Sequence, residues 1–137
     1  MAVAESCTGG LLSALLTRSS GSSRFFKLGV VTYSNEAKHL ILKIPLKAIQ
    51  EKSAVSSGIA RKMAQRVKRL AKTDFGIGIT GIAGPTGGSS QKPVGTVFIA
   101  VSDKNKTISR KFHFTGNRTT IRNKSAFKAL ELLKLFL

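Results

Sequence analysis

The run Glu5-Ser6-Cys7-Thr8-Gly9-Gly10 sets a hydroxyl, a thiol and two glycines between an apolar stretch and a leucine-rich one. A serine at such a strand-to-helix junction presents its oxygen at the mouth of a sheet. The backbone N–H groups of Cys7, Thr8 and Gly9, at the start of a helix, can stabilise an oxyanion or a phosphate. Gly9 and Gly10 let a ligand or a second backbone come close. Attack by Ser6 on an acyl carbon is the chemistry that suits this arrangement. The same residues also fit a Ser or Thr helix cap beside a buried cysteine. Cys7 is an alternative nucleophile, but His39 and His113 are far from it in sequence, and buried cysteines are commonly inert.

A nucleophilic serine needs a base, and Val31-Thr32-Tyr33-Ser34-Asn35-Glu36-Ala37-Lys38 offers one. If Ser34 is a helix N-cap, Tyr33 and Lys38 hold the two positions that pack together in a helix-start staple. A lysine acts as a base only when burial or nearby positive charge lowers its pKa. A helix N-terminus supplies partial positive charge, and a tyrosine hydroxyl alongside can relay a proton. A surface lysine lying over a tyrosine ring is the plainer arrangement of the same residues.

A third segment, Thr80-Gly81-Ile82-Ala83-Gly84-Pro85 and its Gly/Ser-rich continuation to Pro93, follows a strand. Loops there are well placed to shape a ligand site. It is not a phosphate-binding loop of the Walker type, because no Lys-Ser/Thr leads into a helix. Gly76–Gly81 matches the letters of G-x-G-x-x-G, but the match lies inside the strand, so no dinucleotide site is expected. A flexible connection is the competing reading, although the density of Gly and Pro equally fits a defined backbone. Two His, one Cys and six scattered carboxylates form no ligand cluster, so neither metal nor cofactor is expected. No carboxylate pair suggests glycosidase chemistry.

The elements that must position these groups follow from periodicity and punctuation. Strands are predicted over Met1–Glu5, Phe25–Tyr33 and Phe75–Thr80. Val94–Ser102 and Thr107–Phe114 form a hairpin around Asp103-Lys104-Asn105. Helices are predicted over Thr8–Thr17, from Ser34 to about Lys43 with Pro45 ending it, and from Ser56 to about Lys72. In the last, Ile59, Met63, Val67 and Leu70 form a core face. Its other face carries Arg61, Lys62, Arg66, Lys68, Arg69 and Lys72, a run that reads as a solvated face or a polyanion site. The final helix, Arg118–Phe136, has an apolar stripe wide enough for burial on two sides, a homo-oligomer contact included. Strands and helices alternate and a hairpin follows, which predicts one mixed sheet with helices on both faces, in one domain over residues 1–137.

Composition sets the outer bounds. A chain of 137 residues, 42% apolar, can bury one core. A lone cysteine forms no intrachain disulfide and fits a cytoplasmic setting. The N-terminus does not read as a signal peptide, and no apolar run approaches a membrane span, so no membrane partner is expected. The 23 Lys and Arg against 6 Asp and Glu give a formal charge of +17, a field that attracts polyanions and phosphorylated small molecules. With one Tyr, no Trp and no recognisable module, any contact with nucleic acid is expected to be non-specific.

Taken in order, these segments resemble the CinA C-terminal domain family, whose stand-alone members include nicotinamide-nucleotide amidohydrolases. The matching text is Ala4–Gly10, Gly21–Ser23, Val31–Lys38, Ala54–Ser56, Thr80–Pro85, Lys92–Thr96 and Gly116-Asn117-Arg118. The resemblance implies a three-layer α/β/α sandwich around a mixed sheet. It implies deamidation of nicotinamide mononucleotide to nicotinic acid mononucleotide and ammonia, with Ser6 as nucleophile and Tyr33 and Lys38 as its partners. In that chemistry Cys7, Thr8, Gly9 and Gly10 serve the oxyanion. Thr80, Gly81 and Gly84 of the loop, together with Arg118, shape the substrate site and are candidates to seat the phosphate. The alternative is a non-catalytic relative that binds nucleotides or nucleic acid through its basic surface. The family usually has a helix before the first strand. The present chain starts almost at that strand, so the helix is expected to be missing and one sheet face or oligomer contact exposed.

Overall fold

Two helical crossovers and an antiparallel run of three strands build the sheet. The computed structural model describes residues Met1–Leu137. Its five strands are β1 (Ala2–Glu5), β2 (Leu28–Val31), β3 (Gly76–Gly81), β4 (Thr96–Ser102) and β5 (Thr107–His113). They lie in the order β2-β1-β3-β4-β5. β1 runs parallel to both β2 and β3, and β4 and β5 continue antiparallel. The expected mixed sheet is therefore present.

The helices are α1 (Leu11–Leu16), α2 (Asn35–Leu42), α3 (Leu46–Lys52), α4 (Ser57–Ala71) and α5 (Arg118–Lys134). Side chains on alternate strand positions divide the core. Val3, Ile77, Ile79, Val97, Ile99 and Val101 meet Leu12 of α1 and the Ile121, Ala126, Ala129, Leu132 and Leu133 face of α5. Ala2 and Ala4 face the other way, with Ile44, Leu42 of α2, Ile49 of α3, and Ile59, Met63 and Val67 of α4. The result is a helix–sheet–helix sandwich. The wide stripe of α5 is accounted for by the sheet on one side and α1 beside it.

The glycines of β3 explain how close α4 lies. A Cβ on Gly76 would stand 2.1 Å from the carbonyl oxygen of Ala64, and one on Gly78 would stand 2.4 Å from that of Ala60. The first two glycines of the G-x-G-x-x-G letters are thus a seat for a helix backbone, and the third, Gly81, lies against Thr96 and Val97 of β4.

Local rules hold at the helix starts. Ser34 accepts from the N–H of Ala37, Ser56 from that of Ile59, and Asn117 from that of Thr120. In the hairpin, Asp103 Oδ1 accepts from the N–H groups of Asn105 and Lys106. Three expectations need correction. The helix predicted over Thr8–Thr17 begins only at Leu11, because Gly9 (φ 59°) and Gly10 (φ 97°) hold a left-handed turn. The strand predicted from Phe25 begins at Leu28, after a short 3₁₀ turn over Ser22–Arg24. The helix α3 was not foreseen. No helix is long and apolar enough to cross a membrane.

Candidate active site

Parallel pairing brings the chemistry-bearing segments together. Glu5 pairs with Val31 on one side and with Ile79 on the other. The residues next in register, Ser6, Thr32 and Thr80, therefore stand at one level. Ser6 N–H donates to Ile79 O at 3.0 Å, and Thr32 N–H to Glu5 O at 2.8 Å. The chain leaves β1 for α1 on one face and reaches β3 through α2, α3 and α4 on the other. A crevice at the carboxyl ends of the strands is where such a reversal places a ligand site.

A cavity of about 260 Å³ opens there. Eight of the eleven expected residues line it: Ser6, Cys7, Tyr33, Lys38, Thr80, Gly81, Gly84 and Arg118. Asn35, Ala54, Val55, Ile82, Ala83, Thr86 and Gly87 complete the lining. Sequence reasoning did not single these out, although all but Thr86 and Gly87 fall inside the matched motifs.

Lys38 is the most unusual of them. It points inward from the first turn of α2 and is 1% exposed. Its Nζ reaches Thr32 O at 2.9 Å, Ser6 Oγ at 3.2 Å and Tyr33 O at 3.4 Å. Burial holds its pKa below the ordinary lysine value, and the neighbouring Cys7 opposes that shift only in part. No carboxylate pairs with it.

The remaining expectations divide. Tyr33 is 57% exposed, and its hydroxyl accepts from Arg118 Nη2 at 2.7 Å, with no hydrogen bond to Ser6 or Lys38. The Tyr33–Lys38 contact runs through the tyrosine carbonyl rather than its ring. Arg118 Nη1 donates to Gly84 O at 2.7 Å, so the guanidinium ties the tyrosine to the loop while its other N–H groups stay free. Thr80 Oγ1 donates to Ala54 O, anchoring the loop beside the start of α4.

Thr8, Gly9 and Gly10, expected beside the oxyanion, do not line the cavity. Gly9 N–H donates to Ser6 O, and Gly10 N–H to Glu5 Oε2. Arg122 of α5 holds Thr8 O at 2.9 Å. The N–H groups at the start of α1 are taken by the buried Glu5 carboxylate, which receives Leu12 at 3.0 Å and Ser13 at 2.8 Å. From Ser6 to Ser13, only Cys7 and Thr8 keep backbone N–H groups that donate to no other residue. The Cys7 thiol belongs to the core, and burial pushes its pKa up to about 12. It is therefore a neutral thiol and a poor nucleophile at physiological pH.

The N-termini of α2, α4 and α5 approach the cavity through Asn35, Val55 and Arg118. Their dipoles favour an anionic ligand.

Comparison with known proteins agrees with the sequence motifs. Residues 1–137 match the family model described as the CinA C-terminal domain. The chain is 51% identical over 138 residues to a CinA-like protein of Syntrophus aciditrophicus, covering 100% of this chain and 33% of that one. It is 44% identical over 137 residues to a putative competence-damage inducible protein of Thermoanaerobacter pseudethanolicus, with the same coverage. The chain thus spans about a third of the length of the curated relatives it matches. Among solved structures, the competence/damage inducible protein CihA from Agrobacterium tumefaciens superposes with a TM-score of 0.95 at 38% identity. That match covers 98% of this chain and 82% of that one. A CinA superfamily protein from Escherichia coli superposes with a TM-score of 0.94 at 35% identity, covering 99% and 79%. In its motifs, its sheet and its full-length match, the chain belongs to the CinA C-terminal domain family.

Proposed function

We propose that the cavity hydrolyses the carboxamide of nicotinamide mononucleotide, with Ser6 as nucleophile and Lys38 as its direct base. The observation that carries this reading is the buried Lys38 Nζ at 3.2 Å from Ser6 Oγ. A neutral lysine has two N–H groups and one lone pair. The carbonyls of Thr32 and Tyr33 take the N–H groups, which turns the lone pair toward the serine hydroxyl. Burial favours that neutral form.

In the first step Ser6 Oγ bonds to the carboxamide carbon and its proton passes to Lys38 Nζ. The carbonyl oxygen becomes an oxyanion, for which the backbone N–H of Cys7, a residue that lines the cavity, is the available donor. Collapse of the tetrahedral species breaks the C–N bond, and Lys38 returns the proton to the departing ammonia. Water, deprotonated by Lys38, then cleaves the nicotinoyl ester and restores Ser6. Tyr33 stands at the rim with Arg118, where the pair would orient the nucleotide rather than relay the proton. The free N–H groups of Arg118 and the three helix N-termini suit the substrate's phosphate.

The test is ammonia release from nicotinamide mononucleotide by the wild type, Ser6→Ala and Cys7→Ala. Turnover lost by on the order of 10⁴-fold in Ser6→Ala and kept in Cys7→Ala supports this reading. Folded wild type without turnover would move the weight to the non-catalytic alternative.

A further inference from the structure

The positive charge is concentrated on a surface remote from the cavity. Helix α4 carries five cations (Arg61, Lys62, Arg66, Lys68 and Arg69) and no acidic residue, and Lys72 caps its C-terminus. Because α4 runs from the cavity rim at Val55 down to the start of β3, its basic C-terminal half lies at the opposite end of the sheet. There the β4–β5 turn, Asp103–Lys106, comes alongside it. Between them is a hollow of about 480 Å³ with no apolar lining residue and none in common with the catalytic cavity.

No ion pair neutralises these cations. The ion pairs of the molecule are Lys47–Glu51 and Lys128–Glu131, and neither involves α4. The one carboxylate at the hollow, Asp103, is turned to the backbone N–H groups of Asn105 and Lys106. Lys68 Nζ donates to the carbonyl of Asp103, which clamps the turn to the helix. Lys106 Nζ instead lies 4.9 Å from the Phe136 ring centroid. Arg61, Arg69 and Lys104 make no hydrogen bond or ion pair through their side chains, so their charges face the hollow uncompensated. Like charges at Lys62/Arg66 and Lys68/Lys72, four residues apart, weaken the isolated helix. A bound anion would reverse that cost.

We infer that the α4 face and the β4–β5 turn form a docking surface for the sugar–phosphate backbone of duplex nucleic acid. From Arg61 to Lys72 the cations extend over about 16 Å of helix, too long for a single phosphate. Within that row Lys62 and Arg66, Lys68 and Lys72, and Arg69 and Lys72 stand three or four residues, about one helical turn, apart, so the row can follow the phosphates of a strand. The hollow has no aromatic side chain on which an unpaired base could stack, and single-strand binding relies on such platforms. It has no acceptor-bearing carboxylate aimed outward to read a base edge. The surface therefore reads phosphate and not sequence.

The experiment is fluorescence anisotropy of the whole chain with a duplex of about 20 base pairs, from 50 to 200 mM salt. Two triple variants of equal charge are compared with the wild type: R61Q/R69Q/K104Q, and R18Q/R110Q/K124Q, whose cations are exposed elsewhere. Each phosphate contact adds about 0.9 to the log–log salt slope, so the first variant should lose about 2.7 and the second less than about 1. Equal losses in both variants would show a global charge effect and overturn the site. No binding by wild type at 50 mM salt, or equally tight binding of poly-glutamate with the same dependence on the variants, would overturn it too.

Discussion

Ser13 donates both its backbone N–H and its hydroxyl to Oε1 of Glu5, at 2.8 and 2.7 Å. The other carboxylate oxygen takes Gly10 and Leu12. A fully buried side chain from the residue before Ser6 thus caps the helix after it, across the left-handed glycine turn. The loop that holds Ser6 is closed at both ends by one carboxylate. Glu5→Gln replaces an acceptor with a donor and leaves buried N–H groups unpaired, so it should cost about 3 kcal/mol in urea unfolding. Glu36→Gln, on the exposed first turn of α2, should cost less than about 0.5 kcal/mol. Equal small losses would show that the cap is not what holds the loop.

The lowered pKa of Lys38 has a definite sign in stability. Unfolded, the lysine titrates at its ordinary 10.5; folded, it titrates lower because burial disfavours the charge. Between the two values the unfolded chain binds more protons, so stability rises with pH across that window. The contribution is lost as pH falls through the folded value. Lys38→Met should remove this slope from the wild-type curve. Ammonia release should rise with pH through the same folded value, and an acidic limb unchanged by lysine burial would contradict the assignment of the base.

Arg118 and Tyr33 should act as one unit. Their direct bond spans 85 residues of sequence. Tyr33→Phe removes the acceptor alone, while Arg118→Lys breaks the fork that also holds Gly84 O. In a double-mutant cycle on kcat/KM, the two effects should be non-additive by about 1 kcal/mol. The loss should fall mainly on KM, since neither side chain hydrogen-bonds to Ser6 or Lys38. Additive effects would separate the two residues.

The segments that line the cavity were legible because each is a local pattern. Ser34 as a cap places Lys38 one turn inward, and a Ser at the end of a buried strand must surface at the strand's carboxyl edge. What it did not carry depends on distance or on neighbours. The acceptors of α1 come from Glu5, but the glycine turn between them hides the capping relation. Phe25 and Phe26 read as strand, yet Phe25 remains half-exposed beside a 3₁₀ turn. Helix α3 buries Ile49 alone and starts at Pro45 with no side-chain cap, so neither periodicity nor capping announces it. Arg122, which ties α5 to Thr8, had no motif around it.

Gly78 is the sharpest case in which letters mislead and packing decides. A methyl there would meet the Ala60 carbonyl at 2.4 Å and the Ala64 N–H at 2.6 Å, both backbone atoms of α4 that cannot yield without moving the helix. Gly78→Ala should therefore cost at least about 3 kcal/mol or leave the chain insoluble. Gly58, inside α4 itself, offers the control. Its added methyl would meet Lys52 Cδ at 3.1 Å, the end of a flexible exposed side chain. Gly58→Ala should be neutral or stabilise by about 0.5–1 kcal/mol, through helix propensity. Thermal unfolding of the two variants side by side separates the explanations. Close approach of α4 predicts opposite outcomes at the two glycines, whereas a dinucleotide loop at Gly76–Gly81 would leave stability largely unchanged in both.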